Sequence, residues 1–212
     1  MNDAFDKGYW DSHWHQAKEH GAGRDIVPNP YLAQEKSGLV TGTALDAGCG
    51  EGAEATWLAA AGWQVTAADI SAEALLRAAE RAPSGGRAQG LVEWVEADLT
   101  VWEPDTPFDL VTTHYAHPAM PQLEFYERIS DWVAPGGTLL IVGHLHGAHT
   151  AGGGGGHHPP EEASVTAAGI TARLDATRWD VVTADEQSRP RANRPGQPVE
   201  LRDVVVRATR RR

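Results

Sequence analysis

Between residues 43 and 52 the chain reads Thr-Ala-Leu-Asp-Ala-Gly-Cys-Gly-Glu-Gly, and no other stretch restricts the possible folds as tightly. A short apolar run ends in an acid, Asp46. Three glycines then arrive at alternate positions, Gly48, Gly50 and Gly52, and a helix-forming run begins at once (Ala53 to Ala61). Strand, glycine turn and helix in this order bring bare backbone against a nucleotide-like ligand at the carboxyl edge of a parallel sheet. The acid before the turn narrows the ligand, because a carboxylate there favours an ammonium over a pyrophosphate.

The rhythm that starts here continues for about a hundred residues. The pattern predicts strands over Thr43–Ala47, Gln64–Ala68, Val92–Val95, Phe108–Thr113 and Thr138–Val142. Helices are expected near Ala53–Ala61, Ala72–Arg81 and Gln122–Val133. Ser71 stands where an N-cap belongs, with Glu73 in the first turn. Leu123, Tyr126, Ile129 and Val133 share one face of the third helix; Pro121 marks its start and Pro135-Gly136-Gly137 its end. After a helix at Ala167–Leu174 the rhythm changes. Trp179–Ala184 and Leu201–Ala208 read as strands joined only by the loop Arg189–Pro198, and two strands without a helix between them should pair antiparallel. The expected fold class is α/β, a three-layer Rossmann-like sandwich whose mostly parallel seven-stranded sheet ends in an antiparallel hairpin. A length of 212 residues suits one domain.

Composition excludes several functions. The net charge of −11 argues against binding nucleic acid through its phosphates, and the basic end (Arg207, Arg210 to Arg212) is too short to reverse that. No apolar run is long enough to span a bilayer, and the start Met-Asn-Asp-Ala-Phe-Asp lacks the regions of a signal peptide. The single cysteine, Cys49, excludes an internal disulfide, so a cytoplasmic location is expected. Flanked by glycines, it reads as a small packing residue.

With these elements placed, the chain resembles the class I methyltransferases that depend on S-adenosylmethionine, within them the small single-domain tellurite-resistance, thiopurine and ubiquinone type. The resemblance spans roughly residues 40–145. It implies a catalytic domain over 37–212, preceded by a cap or lid segment over 1–36. Leu45-Asp46-Ala47-Gly48-Cys49-Gly50-Glu51-Gly52 matches the first motif, in which the glycine loop passes the methionine part of the cofactor and the acid holds its amino group. Asp69, 23 residues after Asp46, matches the acid that accepts the ribose hydroxyls, with Ile70 against adenine. Asp98 and Leu99 match the pair that meets the adenine amino edge, and Phe108 to Thr113 the fourth-strand motif. The same glycines and Asp69 also satisfy the dinucleotide pattern of a nicotinamide oxidoreductase. Asp46, Asp98 and the closing hairpin favour methyl transfer to a small-molecule oxygen, nitrogen, sulfur or heavier chalcogen. A non-catalytic cofactor- or metal-binding protein is the other alternative.

Three regions are candidates for the acceptor site. Tyr9, Trp10 and Trp14 of the leading segment suit stacking on a substrate or facing a sulfonium, and equally suit packing a helix on the domain. His114, Tyr115 and His117 follow the fourth strand, where ligands of open sheets bind, and either histidine is a candidate general base. His144, His146, His149, His157 and His158 surround a glycine run. Clustered imidazoles invite a metal, but no carboxylate or cysteine accompanies them at fixed spacing, so the expectation is a closing lid with His146 or His157 as proton acceptor or else a disordered surface loop, and no metal is assigned. Oligomeric state is not readable.

Overall fold

A computed structural model describes residues 5–20, 27–82, 91–145, 164–191 and 199–212. Two helices, α1 (Lys7–His20) and α2 (Pro30–Glu35), precede the alternating elements β1 (Thr43–Ala47), α3 (Ala53–Ala60), β2 (Gln64–Asp69), α4 (Ala72–Arg81), β3 (Val92–Glu96), β4 (Phe108–His114), α5 (Gln122–Ser130) and β5 (Val133–Leu145). A two-residue strand β6 (Ser164–Val165), helix α6 (Ala167–Thr171) and the long pair β7 (Trp179–Arg191) and β8 (Val199–Arg210) complete the chain.

The main sheet runs β3-β2-β1-β4-β5-β8-β7, with β6 attached to β5. Strands β1 to β5 pair in parallel, while β8 runs antiparallel to both β5 and β7. Side chains alternate across this sheet and build a core on each face. Leu45, Val111, Leu139, Ile141 and Val206 meet Phe125, Ile129 and Ile170 on one side. Ala44, Leu110, Leu140, Val142 and Val205 meet Leu32, Leu58 and Leu75 on the other. Strands buried on both faces explain why the sequence shows short continuous apolar runs rather than alternation. The expected three-layer α/β sandwich is what forms.

Several boundaries differ from expectation, among them the end of α6, which stops at Thr171 rather than Leu174. The third predicted helix stops at Ser130, and Val133 opens β5, pairing with Phe108. Phe108 donates its amide to the Trp132 carbonyl (2.8 Å), so sheet pairing takes these apolar residues away from the helix, and Pro135-Gly136-Gly137 lies within β5. The closing hairpin also extends further than predicted, with Arg189 opposite Leu201 and Arg191 opposite Val199. Pro190 is tolerated because β7 is the edge strand. Strand order reverses between β1 and β4, which puts the ligand crevice beyond the ends Ala47 and His114.

Candidate cofactor and acceptor site

All three motif glycines adopt left-handed backbone, with φ of 77° at Gly48, 51° at Gly50 and 76° at Gly52. A side chain at Gly48 would collide with the Ala116 methyl, and one at Gly52 with the Trp94 ring. The turn is pulled over the end of β2 because Gly48 and Cys49 both donate amides to the Ala68 carbonyl (2.8 and 3.1 Å). Asp69 fastens it from the other side: Oδ2 accepts the Gly50 amide (2.8 Å) and Oδ1 the Ser71 amide (2.9 Å). Burial pushes the Asp69 carboxyl up and these amides oppose it. Asp46 is 1% exposed, and its Oδ2 has no hydrogen-bond partner. Burial first, and the Glu54 carboxylate second, push its carboxyl well above the usual range. Burial does the same to the Cys49 thiol, which therefore stays protonated.

A cavity of about 390 Å³ opens over this loop. It is lined by the glycine turn, Asp69, Ile70, Asp98 and Leu99 together with Phe5, Trp10, His13, Trp14, His114, Tyr115 and His117, and the Trp14 ring lies against Gly50. Helix α1 reaches across it. Its ties are Trp10 Nε1 to the His117 carbonyl (3.2 Å), Ser71 Oγ to Asp11 (2.7 Å), Lys7 to Glu96 (2.8 Å) and the Arg77 guanidinium to the Trp14 carbonyl. Trp10 and Trp14 therefore line the cavity, whereas Tyr9 is 41% exposed and sets its ring edge-on to Phe5 and Trp10 outside it.

Residues 44–137 match the family described as methyltransferase domain. That stretch is similar to methyltransferase domains, and the whole chain has the fold of solved S-adenosylmethionine-dependent methyltransferases. An uncharacterized methyltransferase of Mycobacterium tuberculosis is 38% identical over 106 residues, 49% of this chain and 51% of that protein. Trans-aconitate 2-methyltransferase of Streptomyces avermitilis is 35% identical over 99 residues, 44% of this chain and 36% of that protein. The chain thus spans about half, or less, of the curated relatives it matches. Among solved structures, magnesium protoporphyrin IX methyltransferase of Synechocystis PCC 6803 with bound S-adenosylmethionine has a TM-score of 0.66 at 18% identity, covering 99% of this chain and 100% of that one. At that identity the likeness shows the fold.

The residues present fit the methyltransferase cofactor. A buried carboxylate oxygen without a donor is stabilised by an ammonium, and Asp46 supplies one beside Glu54. The glycine turn leaves no side chain between backbone and ligand. Asp69 accepts the Gly50 and Ser71 amides and keeps lone-pair capacity for a ligand. Asp98 is exposed at the cavity, its Oδ1 holding the Thr100 amide and hydroxyl (2.9 and 2.7 Å), and Leu99 is buried beside it. Asp46 and Thr113, both expected at the cofactor, do not line the cavity: Asp46 is buried, and the Thr113 hydroxyl donates to the Ala47 carbonyl (2.8 Å) and clasps β4 to β1.

Both fourth-strand histidines line the cavity. His114 Nδ1 lies 3.5 Å from Thr112 Oγ1 and its Nε2 is enclosed without a partner. Burial holds this imidazole below its usual value, against the pull of Glu54. His117 Nδ1 lies 3.3 Å from Gln122 Oε1, and burial lowers it too. Tyr115 also lines the cavity, but its hydroxyl is committed elsewhere: it donates to Asp203 (2.8 Å) and accepts from Arg189 (3.0 Å) and Asn29 (3.3 Å). Arg189 and Asp203 are themselves paired at 2.6 Å. These three partners, together with Glu54, His13 and Phe5, escaped the sequence reading. Only the Asn29-Pro30 cap signal before α2 hints at one of them; Asn29 also gives its amide to Glu54 (2.8 Å). His146, with His149, His157 and His158, lies outside the described residues. His144, at the start of that cluster, stacks on His117 (5.3 Å between ring centres). Among the described residues no set of three histidines, cysteines or acids is grouped to hold a metal, and no helix is long and apolar enough to cross a membrane.

Proposed function

We propose that this protein moves the methyl group of S-adenosylmethionine to a heteroatom of a small molecule (oxygen, nitrogen, sulfur or a heavier chalcogen) by in-line displacement. One observation carries the reading: the glycine turn and the aromatic residues of α1 and the 114–118 loop line one continuous cavity. When bound, the cofactor supplies an electrophilic methyl group on a positively charged sulfur. The chain's own residues supply position and environment. Glu54 offers negative charge to an ammonium, and Asp69 and Asp98 offer acceptors to hydroxyl and amino groups. Trp10 and Trp14 exclude water and present π-faces attractive to a cation. His114, neutral and with Nε2 unpartnered, takes a proton from an acceptor hydroxyl or amine, and His117 is the second candidate.

Residues 1–36 serve in this reading as the lid, since the ties of α1 cross the cavity. Its closure fixes Trp10 against the 114–118 loop. The net charge of −11 supports a small acceptor over a nucleic acid, and the single cysteine supports a cytoplasmic location. Oxidoreduction with a nicotinamide cofactor is not favoured, because neither the buried Asp46 nor the antiparallel β8–β7 end belongs to that motif. The test is a screen of phenols, amines, thiols and chalcogen oxyanions with methyl-labelled cofactor. Transfer of label to a small molecule is expected; label that reaches only nucleic acid or protein contradicts the proposal.

A further inference from the structure

The two histidines after β4 are held by different chemistry. His114 Nδ1 meets the Thr112 hydroxyl at 3.5 Å. A hydroxyl both donates and accepts, so that contact fixes no tautomer. His117 meets an amide side chain instead. Gln122, the first residue of α5, is 5% exposed and reaches back over the segment 116–121. Its Nε2 donates to the Ala116 carbonyl (3.0 Å), and its Oε1 faces His117 Nδ1 (3.3 Å).

These two contacts leave one arrangement of hydrogens. A carbonyl only accepts, so the Ala116 oxygen requires the NH2 end of Gln122, and turning the amide round would set two acceptors against each other. The end left for the imidazole is Oε1, which also only accepts. Nδ1 must therefore carry the hydrogen, and the lone pair falls on Nε2. The other neighbours of His117 do not compete for its ring nitrogens. Trp10 and His144 stack on it (6.5 and 5.3 Å between ring centres), and the Trp10 indole N–H goes to the His117 carbonyl. Burial holds the imidazole below its usual value while the Gln122 bond pulls the other way, so the ring is neutral at neutral pH and its tautomer counts.

We infer that Gln122 is a positioning residue: it locks His117 in the Nδ1–H tautomer, so that His117 offers a methyl acceptor a lone pair on Nε2 and not a second donor. His117 lines the cavity, and Nε2 points away from Gln122. An acceptor hydroxyl or amine is then oriented by donating to Nε2, whichever of the two histidines finally takes its proton. This use of the lone pair rests on the methyl-transfer reading; the tautomer does not. A purely structural role for Gln122, holding Ala116 where its methyl closes on Gly48, gives His117 no tautomer preference.

The test uses the full chain with nitrogen-labelled histidine at about pH 8.5, two units above the free imidazole value. Long-range proton–nitrogen NMR spectra report which ring nitrogen carries the hydrogen, and His117 is identified by the signal lost in His117→Gln. His117 is expected as Nδ1–H with a bare Nε2. Gln122→Leu should shift it toward the Nε2–H form that free imidazole prefers. Gln122→Glu keeps an acceptor for Nδ1 and gives up the donor to Ala116, so it should retain the Nδ1–H form. Denaturant unfolding establishes that each variant is folded when it is read. An Nε2–H form in the parent protein overturns the inference without any variant. A folded Gln122→Leu that keeps Nδ1–H overturns it too, as does a Gln122→Glu that behaves like Gln122→Leu. Calorimetry with S-adenosylhomocysteine on the same sample separates the two readings: absence of binding removes methyl transfer and with it the use of the lone pair, whatever tautomer is found.

Discussion

The cofactor half and the acceptor half of this cavity are made in different ways. The glycine turn is held by bonds to its neighbouring strand, Gly48 and Cys49 to Ala68 and Gly50 to Asp69, and it works through backbone shape. The acceptor wall is assembled from distant segments: Trp10 reaches the carbonyl of His117, and Tyr115 is clasped by Asn29, Arg189 and Asp203. Local sterics dictate the first half, so one motif suffices to specify it. The second depends on how α1 and the β7–β8 hairpin dock, and its chemistry can change while the fold and cofactor site stay. Related methyltransferase folds can therefore share a donor and differ in acceptor.

Substitutions can break this contrast, beginning with the largest expected effect. Gly48→Ala puts a methyl group into the Ala116 side chain at a left-handed position, so about 3 kcal/mol of stability should be lost and cofactor binding abolished. Denaturant unfolding and calorimetry check both, and near-normal binding would show that the turn has freedom the structure denies. Asp69→Ala removes an acceptor expected at the ribose and the tie from the Gly50 amide. Cofactor affinity should fall by about 2 kcal/mol, and an unchanged value removes Asp69 from the site.

Tyr115→Phe probes the other half. It strips the hydroxyl from the Asn29–Arg189–Asp203 clasp and keeps the ring, at a cost of about 1 kcal/mol in stability. Because Tyr115 sits at φ 56°, loss of the clasp should loosen the 114–118 loop. The acceptor KM should rise several-fold with the cofactor Kd unchanged. A matching loss of cofactor affinity would show that the two halves are not separable.

The smallest effect concerns pH. Burial lowers His114 below its ordinary value near 6.5, so its base form persists into mildly acid solution. A lowered histidine contributes stability that is present above its unfolded value and is lost as pH falls through the folded one. The acid limb of kcat/KM should therefore lie below pH 6.5 (about the free imidazole value) and flatten in His114→Gln. A limb at or above that pH would assign the proton to another group.

How much of this the sequence carried follows the same division. Strands β1 and β2 and helices α3 and α4 were readable to within a residue, because Ser71 caps α4 and glycine turns bound the buried runs. The end of α5 was not, since Ile129 and Val133 keep helical spacing while pairing with Phe108 draws Val133 into the sheet. Asp69 and Asp98 were legible as cavity residues because Asp69 ends and Asp98 follows a strand beside a recognisable turn, whereas Asp46, within β1, is buried and does not line the cavity. Arg189 and Asp203 were not, because only the antiparallel register of β7 and β8 sets them beside Tyr115. Thr113 shows the limit within a motif: membership in the fourth-strand pattern did not tell that its hydroxyl serves the Ala47 carbonyl.

The central claim is that the loop over Asp46 to Gly52 is built for S-adenosylmethionine. Calorimetric titration of the chain with S-adenosylmethionine, S-adenosylhomocysteine and NAD tests it most directly. The two sulfur compounds should bind at one site in the micromolar range, about −8 kcal/mol, with NAD giving no heat of binding. Binding of NAD without S-adenosylmethionine would contradict it.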